Sequence, residues 1–188
     1  MDIFDKAIIF SVNAHSGMVR KTKTTPYILH PMEVATIVGT MTSDREVLAA
    51  AILHDTVEDT SATAEEIKEK FGERIATLVA SETENKRIEM TPEDSWEIRK
   101  KESLEVLRRS DDINVKILWM GDKLANVRSF YRAWREKGND LWLDFHQKDA
   151  SKQAWYYRTI AELTIELDNT DAWKEYNNLI NLIFKGVK

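Results

Sequence analysis

Apolar residues recur at helical spacing almost from one end of this chain to the other. Ile3, Ala7, Phe10 and Ala14 fall at i, i+4, i+7 and i+11, one face of a first helix. Pro26, Tyr27 and Pro31 punctuate a loop, and Pro31 suits the first turn of a second helix carrying Val34, Ile37 and Val38. Ser43-Asp44-Arg45-Glu46 reads as a capping box opening a third helix over 47–58. Thr63-Ala64-Glu65-Glu66 is a second box, and its helix stops at Phe71-Gly72. Ile75, Leu78 and Val79 mark a further helix. The polar stretch 82–89 predicts a mobile surface loop. Thr91 and Pro92 then supply an N-cap and a first helical residue. Long helices are expected over 93–109, 113–136, 151–167 and 171–185. No stretch alternates apolar and polar residues for long, and three Pro and six Gly leave little for extended loops. The expectation is a single all-α domain occupying 1–188.

Composition narrows the chemistry. The chain has no cysteine, which excludes disulfide scaffolds, thiolate zinc sites, iron–sulfur clusters and Cys nucleophiles together. A metal here must be held by imidazole, carboxylate or carbonyl, and there are only four histidines: His15, His30, His54 and His146. The net charge of −5 disfavours wrapping nucleic acid, because phosphate neutralisation needs a basic face. It leaves room for a local basic pocket. The opening residues Met1-Asp2-Ile3-Phe4-Asp5 lack the basic-then-apolar order of a signal peptide, and no apolar run approaches a membrane span. A cytoplasmic protein with no membrane partner is the default. All six Trp lie between Trp96 and Trp173, either as helix-packing core or, for one or two rings, as the lining of a nucleobase pocket. An apolar face on a Trp-bearing helix could also bury against a second copy, giving a homo-oligomer.

The most informative segment runs from Leu48 to Thr60. Its first half is an apolar helix; His54, Asp55, Glu58 and Asp59 then arrive at i, i+1, i+4 and i+5, on one side of a helix. Three carboxylates so close repel one another, and a divalent cation is the natural compensator. The plain alternative is a helix end fraying into solvent, with His54 capping a carbonyl. Two further features weigh against that. His30 sits in Tyr27-Ile28-Leu29-His30-Pro31, an apolar approach to a helix start. Asp122 interrupts an apolar helix, with Asn126 one turn beyond on its face. The set His, His, Asp, Asp would fill a metal's protein ligands and leave positions for water.

The order H…HD…D resembles the HD-domain metal-dependent phosphohydrolases. Ala14-His15-Ser16-Gly17, Arg20-Lys21, the Pro26–Pro31 stretch, His54 through Thr60 and Asp122 through Arg128 narrow the likeness to the hydrolase domain of the RelA/SpoT-homologue family, in its stand-alone small alarmone hydrolase form. The core motifs span about 10–130. Trp155-Tyr156-Tyr157-Arg158, within helices over 150–185, is similar to the C-terminal element of single-domain members. The resemblance implies an HD-domain helical bundle of about eight to ten helices. It implies one Mn²⁺ on His30, His54, Asp55 and Asp122, and Glu58 with Asp59 positioning and activating the attacking water. It further implies nucleotide contacts from Arg20, Lys21, Thr22, Asn126 and Ser129. Arg20-Lys21-Thr22-Lys23 could otherwise be a solvated basic loop. His15 falls outside the ligand count and is expected to make a structural hydrogen bond, and His146 to be exposed.

The expected reaction is removal of the 3′-pyrophosphate of (p)ppGpp, giving GDP or GTP, with no room in 1–188 for a nucleotide-synthesising domain. The sequence departs from the family at Thr24-Thr25, at 81–86 and at Ala125, which stands where a larger residue is usual and could reshape the pocket wall. Those departures keep two rivals in view: hydrolysis of another nucleotide, such as ppApp or the phosphate of NADPH, and a nucleotide-binding regulator without turnover.

Overall fold

Side-chain caps and helix-breaking turns divide the chain where the sequence sets them. In the computed structural model, which describes residues 1–20 and 24–187, the helices are α1 (Ile3–Ala14), α2 (Leu29–Val38), α3 (Arg45–Leu53), α4 (Thr56–Asp59), α5 (Ala64–Phe71), α6 (Glu73–Glu82), α7 (Pro92–Arg109), α8 (Ile113–Lys137), α9 (Ala150–Leu163) and α10 (Asp171–Ile183). Short 3₁₀ segments occupy Gly138–Asp144 and Ile165–Leu167. The extended pairing among the described residues is a single bridge between Val19 and Pro26. None of these helices is long and apolar enough to cross a membrane.

The caps are local chemistry. Thr63 accepts from the Glu66 amide and Thr91 from the Asp94 amide, each satisfying a donor that the first turn leaves without a partner. The cap of α3 is Asp44 rather than Ser43: the Asp44 carboxylate accepts from the Glu46 amide and is clasped by Arg74. The expected helix over 151–167 ends early. Thr164 turns its hydroxyl onto the Ile160 carbonyl, 2.7 Å away, and the chain tightens into the second 3₁₀ segment.

The larger correction concerns the third helix, which does not run on to Glu58. It stops at Leu53 and restarts as α4 at Thr56. Two side chains take over carbonyls that the next turn of helix would have used. His54 Nδ1 lies 2.8 Å from the Ala51 oxygen, and the Thr56 hydroxyl donates to the Leu53 oxygen at 2.6 Å. His54, Asp55, Glu58 and Asp59 therefore project from a corner, not from one stripe of a continuous helix.

Packing centres on α3 and α8. α1 lies along α3; α2 packs on both α3 and α8; α10 covers α8 from the far side. Val47, Ala49, Ala50, Ala51, Ile52 and Leu53 are all buried, so small residues let α3 sit inside a ring of helices. Of the Trp residues, Trp119 and Trp142 are essentially fully buried and Trp96 nearly so, in keeping with the core reading. Ala125 is also core, at 2% exposure, so its small size shapes helix packing and not an open pocket wall.

Gly121 sets the closest approach. A Cβ there would stand 2.5 Å from Val38 Cγ2 and 3.3 Å from Val34 Cγ1, both on α2. The bare backbone lets α8 lie against α2 one residue before Asp122. Gly121→Ala is expected to cost about 1–3 kcal/mol through overpacking. Thermal unfolding should report that loss, and metal titration should show weaker binding because the helices bearing His30 and Asp122 are forced apart.

Candidate metal centre and its surroundings

Two helices and one corner deliver the donors. His30 is the second residue of α2, its amide donating to the Tyr27 carbonyl at 2.9 Å. His54 and Asp55 occupy the break between α3 and α4, and Asp122 lies mid-way along α8. His30, His54 and Asp122 are buried, and each offers a ligand atom within 4.8 Å of the other two. His30 Nε2 is 3.0 Å from Asp122 Oδ1 and 3.5 Å from Asp55 Oδ2. His54 Nε2 faces Asp55 Oδ1 at 3.2 Å and Asp122 Oδ1 at 3.7 Å.

The state of His54 tests whether a cation fits. The Ala51 carbonyl can only accept, so Nδ1 carries the proton, and in a neutral ring Nε2 then presents a bare lone pair. That Nε2 is buried and has no hydrogen-bond partner among the described residues. A lone pair aimed at two carboxylates is repulsive unless something positive lies between them. The protonation balance agrees. Burial opposes charge on His54, yet the Asp55 and Asp122 carboxylates outweigh it and hold its pKa well above the usual value. The place wants positive charge, and a mixed imidazole–carboxylate set suits a divalent cation.

Polar groups behind Asp122 orient it. Lys123 Nζ donates to Asp122 Oδ2 at 2.5 Å and to Glu82 Oε2 at 3.1 Å, and lies 4.6 Å from the Trp119 ring centroid. Burial alone would keep the Asp122 carboxyl neutral; Lys123, His30 and His54 hold it well below the usual carboxylate range. Asn126 Nδ2 donates to Asp122 Oδ1 at 2.7 Å, and Arg20 Nη2 donates to Asn126 Oδ1 at 3.0 Å. The Arg20 guanidinium also lies 5.5 Å from the Tyr27 ring. Ser129 is half-buried on α8, two turns beyond Asp122 and on the same face. Lys21 and Thr22 lie outside the described residues. His15 makes the expected structural bond, its Nδ1 2.9 Å from the Ser11 carbonyl oxygen, and His146 is exposed.

Glu58 and Asp59 flank this centre on α4. The Glu58 carboxylate accepts from the Glu84 amide at 3.1 Å. Burial, then repulsion from Glu84, Asp55 and Asp59, pushes its pKa up to about 7. Asp59 accepts from Lys86 Nζ at 2.5 Å through Oδ1 and from the Tyr27 hydroxyl at 2.6 Å through Oδ2.

The sequence reading missed the supports. Glu82 and Glu84 belong to the stretch read as a surface loop, but Glu82 is buried against Lys123. The Glu84 carboxylate accepts from Arg99 at 3.0 Å, Lys100 at 2.5 Å and Ser103 at 3.1 Å. Lys123 carried a usable signal, a second charge beside Asp122 in an apolar helix. Tyr27 carried none beyond its place before His30.

With this geometry described, the relatives can be stated. The HD domain family profile matches residues 7–147. A guanosine-3′,5′-bis(diphosphate) 3′-pyrophosphohydrolase of Aquifex aeolicus is 39% identical over 132 residues, covering 70% of this chain and 18% of its own length. A GTP pyrophosphokinase of Myxococcus xanthus is 34% identical over 139 residues, covering 73% of this chain and again 18% of its own. The chain thus spans less than a fifth of either curated relative. Two solved structures match nearly end to end. One, from Listeria monocytogenes EGD-e, has a TM-score of 0.72 at 34% identity, covering 88% of this chain and 99% of its own. The other, described as a metazoan orthologue of SpoT that hydrolyses ppGpp, has a TM-score of 0.72 at 25% identity, covering 100% and 98%.

The elevated Glu58 carboxyl predicts a pH-dependent stability difference. Below about pH 4 the group is protonated in folded and unfolded chains alike and contributes nothing to the difference from Gln. As pH rises toward 7 the unfolded chain releases the proton first, and above 7 the folded state holds an ionised carboxylate in a crowded site. Metal-free Glu58→Gln should therefore melt higher than wild type at pH 8, by about 5 °C for a difference of about 2 kcal/mol, with the gap closing near pH 4.

Proposed function

The chain belongs to the HD-domain family, and on that footing we propose that it hydrolyses the 3′-pyrophosphate of (p)ppGpp, releasing GDP or GTP and pyrophosphate with Mn²⁺ as its cofactor. The observation that carries the reading is the convergence of His30, His54, Asp55 and Asp122 beside a carboxyl poised near neutrality at Glu58. The activities described for the Aquifex and metazoan relatives support the substrate.

His30, His54, Asp55 and Asp122 would hold the ion. When bound, a divalent cation offsets phosphate charge and makes a nearby water easier to deprotonate. Glu58 accepts a proton from the attacking water, a role suited to a carboxyl whose pKa lies near the working pH. The water oxygen bonds to the phosphorus next to the 3′ oxygen, the bond between them breaks, and the 3′ oxygen leaves with a proton. Asp59, held by Lys86 and Tyr27, orients the water. Arg20, 5.5 Å from the Tyr27 ring, carries a planar cation suited to stacking on a nucleobase, and its bond to Asn126 ties that grip to Asp122. Asn126 and Ser129 present hydrogen-bonding groups from α8, and Lys21 and Thr22 complete the substrate set carried over from the family.

In this reading 1–188 forms one HD-type unit in the cytoplasm. α10 is tied to the motif-bearing α8 by Arg128, which donates to Glu175 at 2.6 Å, and to α9 by the Tyr176 hydroxyl, which donates to the Tyr157 carbonyl at 2.8 Å.

Purified protein supplied with ppGpp and Mn²⁺ should release pyrophosphate and GDP. Asp55→Ala should lose at least about 100-fold in kcat, and metal removal should do the same. Identical traces from wild type and Asp55→Ala would defeat the assignment. A panel including ppApp and NADPH, ranked by kcat/KM, assigns the substrate, because discrimination resides in that ratio.

A further inference from the structure

Tyr27 is neither among the metal donors nor part of the water-activating pair, yet it touches both. Its hydroxyl donates to Asp55 Oδ2 at 2.7 Å and to Asp59 Oδ2 at 2.6 Å. A phenol carries one such proton, so one hydrogen serves a metal-binding carboxylate and its reactive neighbour together. The other Asp59 oxygen, Oδ1, accepts from Lys86, so Asp59 is held through both of its oxygens, and the phenol is the contact it shares with Asp55.

The ring itself is held on several sides. It stacks on His15 with centroids 4.9 Å apart and planes 10° apart, and His15 is fixed in turn by the Ser11 carbonyl. The His30 ring meets it edge-on at 6.1 Å and 82°. The Tyr27 amide donates to the Met18 carbonyl at 2.9 Å, beside the Val19–Pro26 bridge. The hydroxyl's position is therefore set by α1, α2 and the Val19–Pro26 pairing between them, while the two carboxylates belong to the α3–α4 corner.

We propose that Tyr27 is a positioning residue that locks Asp59 to the metal-binding carboxylate of Asp55, fixing the reactive oxygen of Asp59 relative to the bound water. The inference rests on reading Glu58 and Asp59 as the water-activating pair. A group acting this way should alter the chemical step and leave substrate grip and metal occupancy alone. A group that only supports the fold, or only holds Asp55 as a ligand, should not.

Tyr27→Phe, which removes the hydroxyl and keeps the ring, should lower kcat about 10–100-fold and leave KM within about twofold. Mn²⁺ titrated calorimetrically into metal-free Tyr27→Phe should still bind one ion, with a loss of affinity smaller than the loss in kcat. The decisive comparison is with Asp59→Asn. If Tyr27 acts through Asp59, adding Tyr27→Phe to Asp59→Asn should cost less than about twofold more. A wild-type kcat for Tyr27→Phe overturns the proposal, as does a weakening of Mn²⁺ affinity that matches the loss of rate. Penalties that multiply in full in the double variant overturn the role of Tyr27 alone. A wild-type kcat for Asp59→Asn overturns the assignment of the pair, and the role of Tyr27 with it.

Discussion

Two carboxylates and two imidazoles meet where helices α2, α3 and α8 come together, and they meet in the interior. Ionised groups in such a place are costly unless they are paired, and the centre is rich in negative charge. Lys123 settles one side of Asp122, while Nε2 of His54 faces the Asp55 and Asp122 carboxylates. The local architecture follows from that imbalance. The α3–α4 corner, the buried lysine and the glycine contact each place a group where an incoming cation completes the set.

Around this centre the polar contacts form connected lines. One runs from Arg20 through Asn126 to Asp122, joining a cation suited to stacking on a base with a metal donor. Another runs from α7 through Glu84 to Glu58, so that the carboxylate receiving Arg99, Lys100 and Ser103 also raises the pKa of the reactive acid. In such networks the loss of one member is felt by the next, which is why they tend to act as units. In the proposed function, grip on the nucleotide, hold on the ion and activation of water would be joined through these contacts.

Much of this was legible because the relevant chemistry is local. Thr63 and Thr91 cap their helices through bonds spanning three residues, and sequence alone shows such spacing. The metal donors stood out as charges and imidazoles placed in apolar surroundings. The break after Leu53 did not, because apolar periodicity persists up to it and the deciding bonds come from His54 and Thr56 themselves. Glu82 and Glu84 were illegible for the opposite reason. Their partners, Lys123 and Lys100, lie 41 and 16 residues away, so a stretch that reads as solvated is in truth neutralised by distant helices. Tyr27 shows the same limit, since its two carboxylates are 28 and 32 residues on.

The contact at Gly121 bears on how the candidate donors are spaced. α8 meets α2 backbone to side chain, with no room for a methyl group, one residue before Asp122 and four residues after His30 along α2 at Val34. In the proposed site a methyl group at this contact would push His30 and Asp122 apart, so the donor spacing depends on a residue that carries no donor. The mixed imidazole and carboxylate set itself suits a cation that accepts nitrogen and oxygen together.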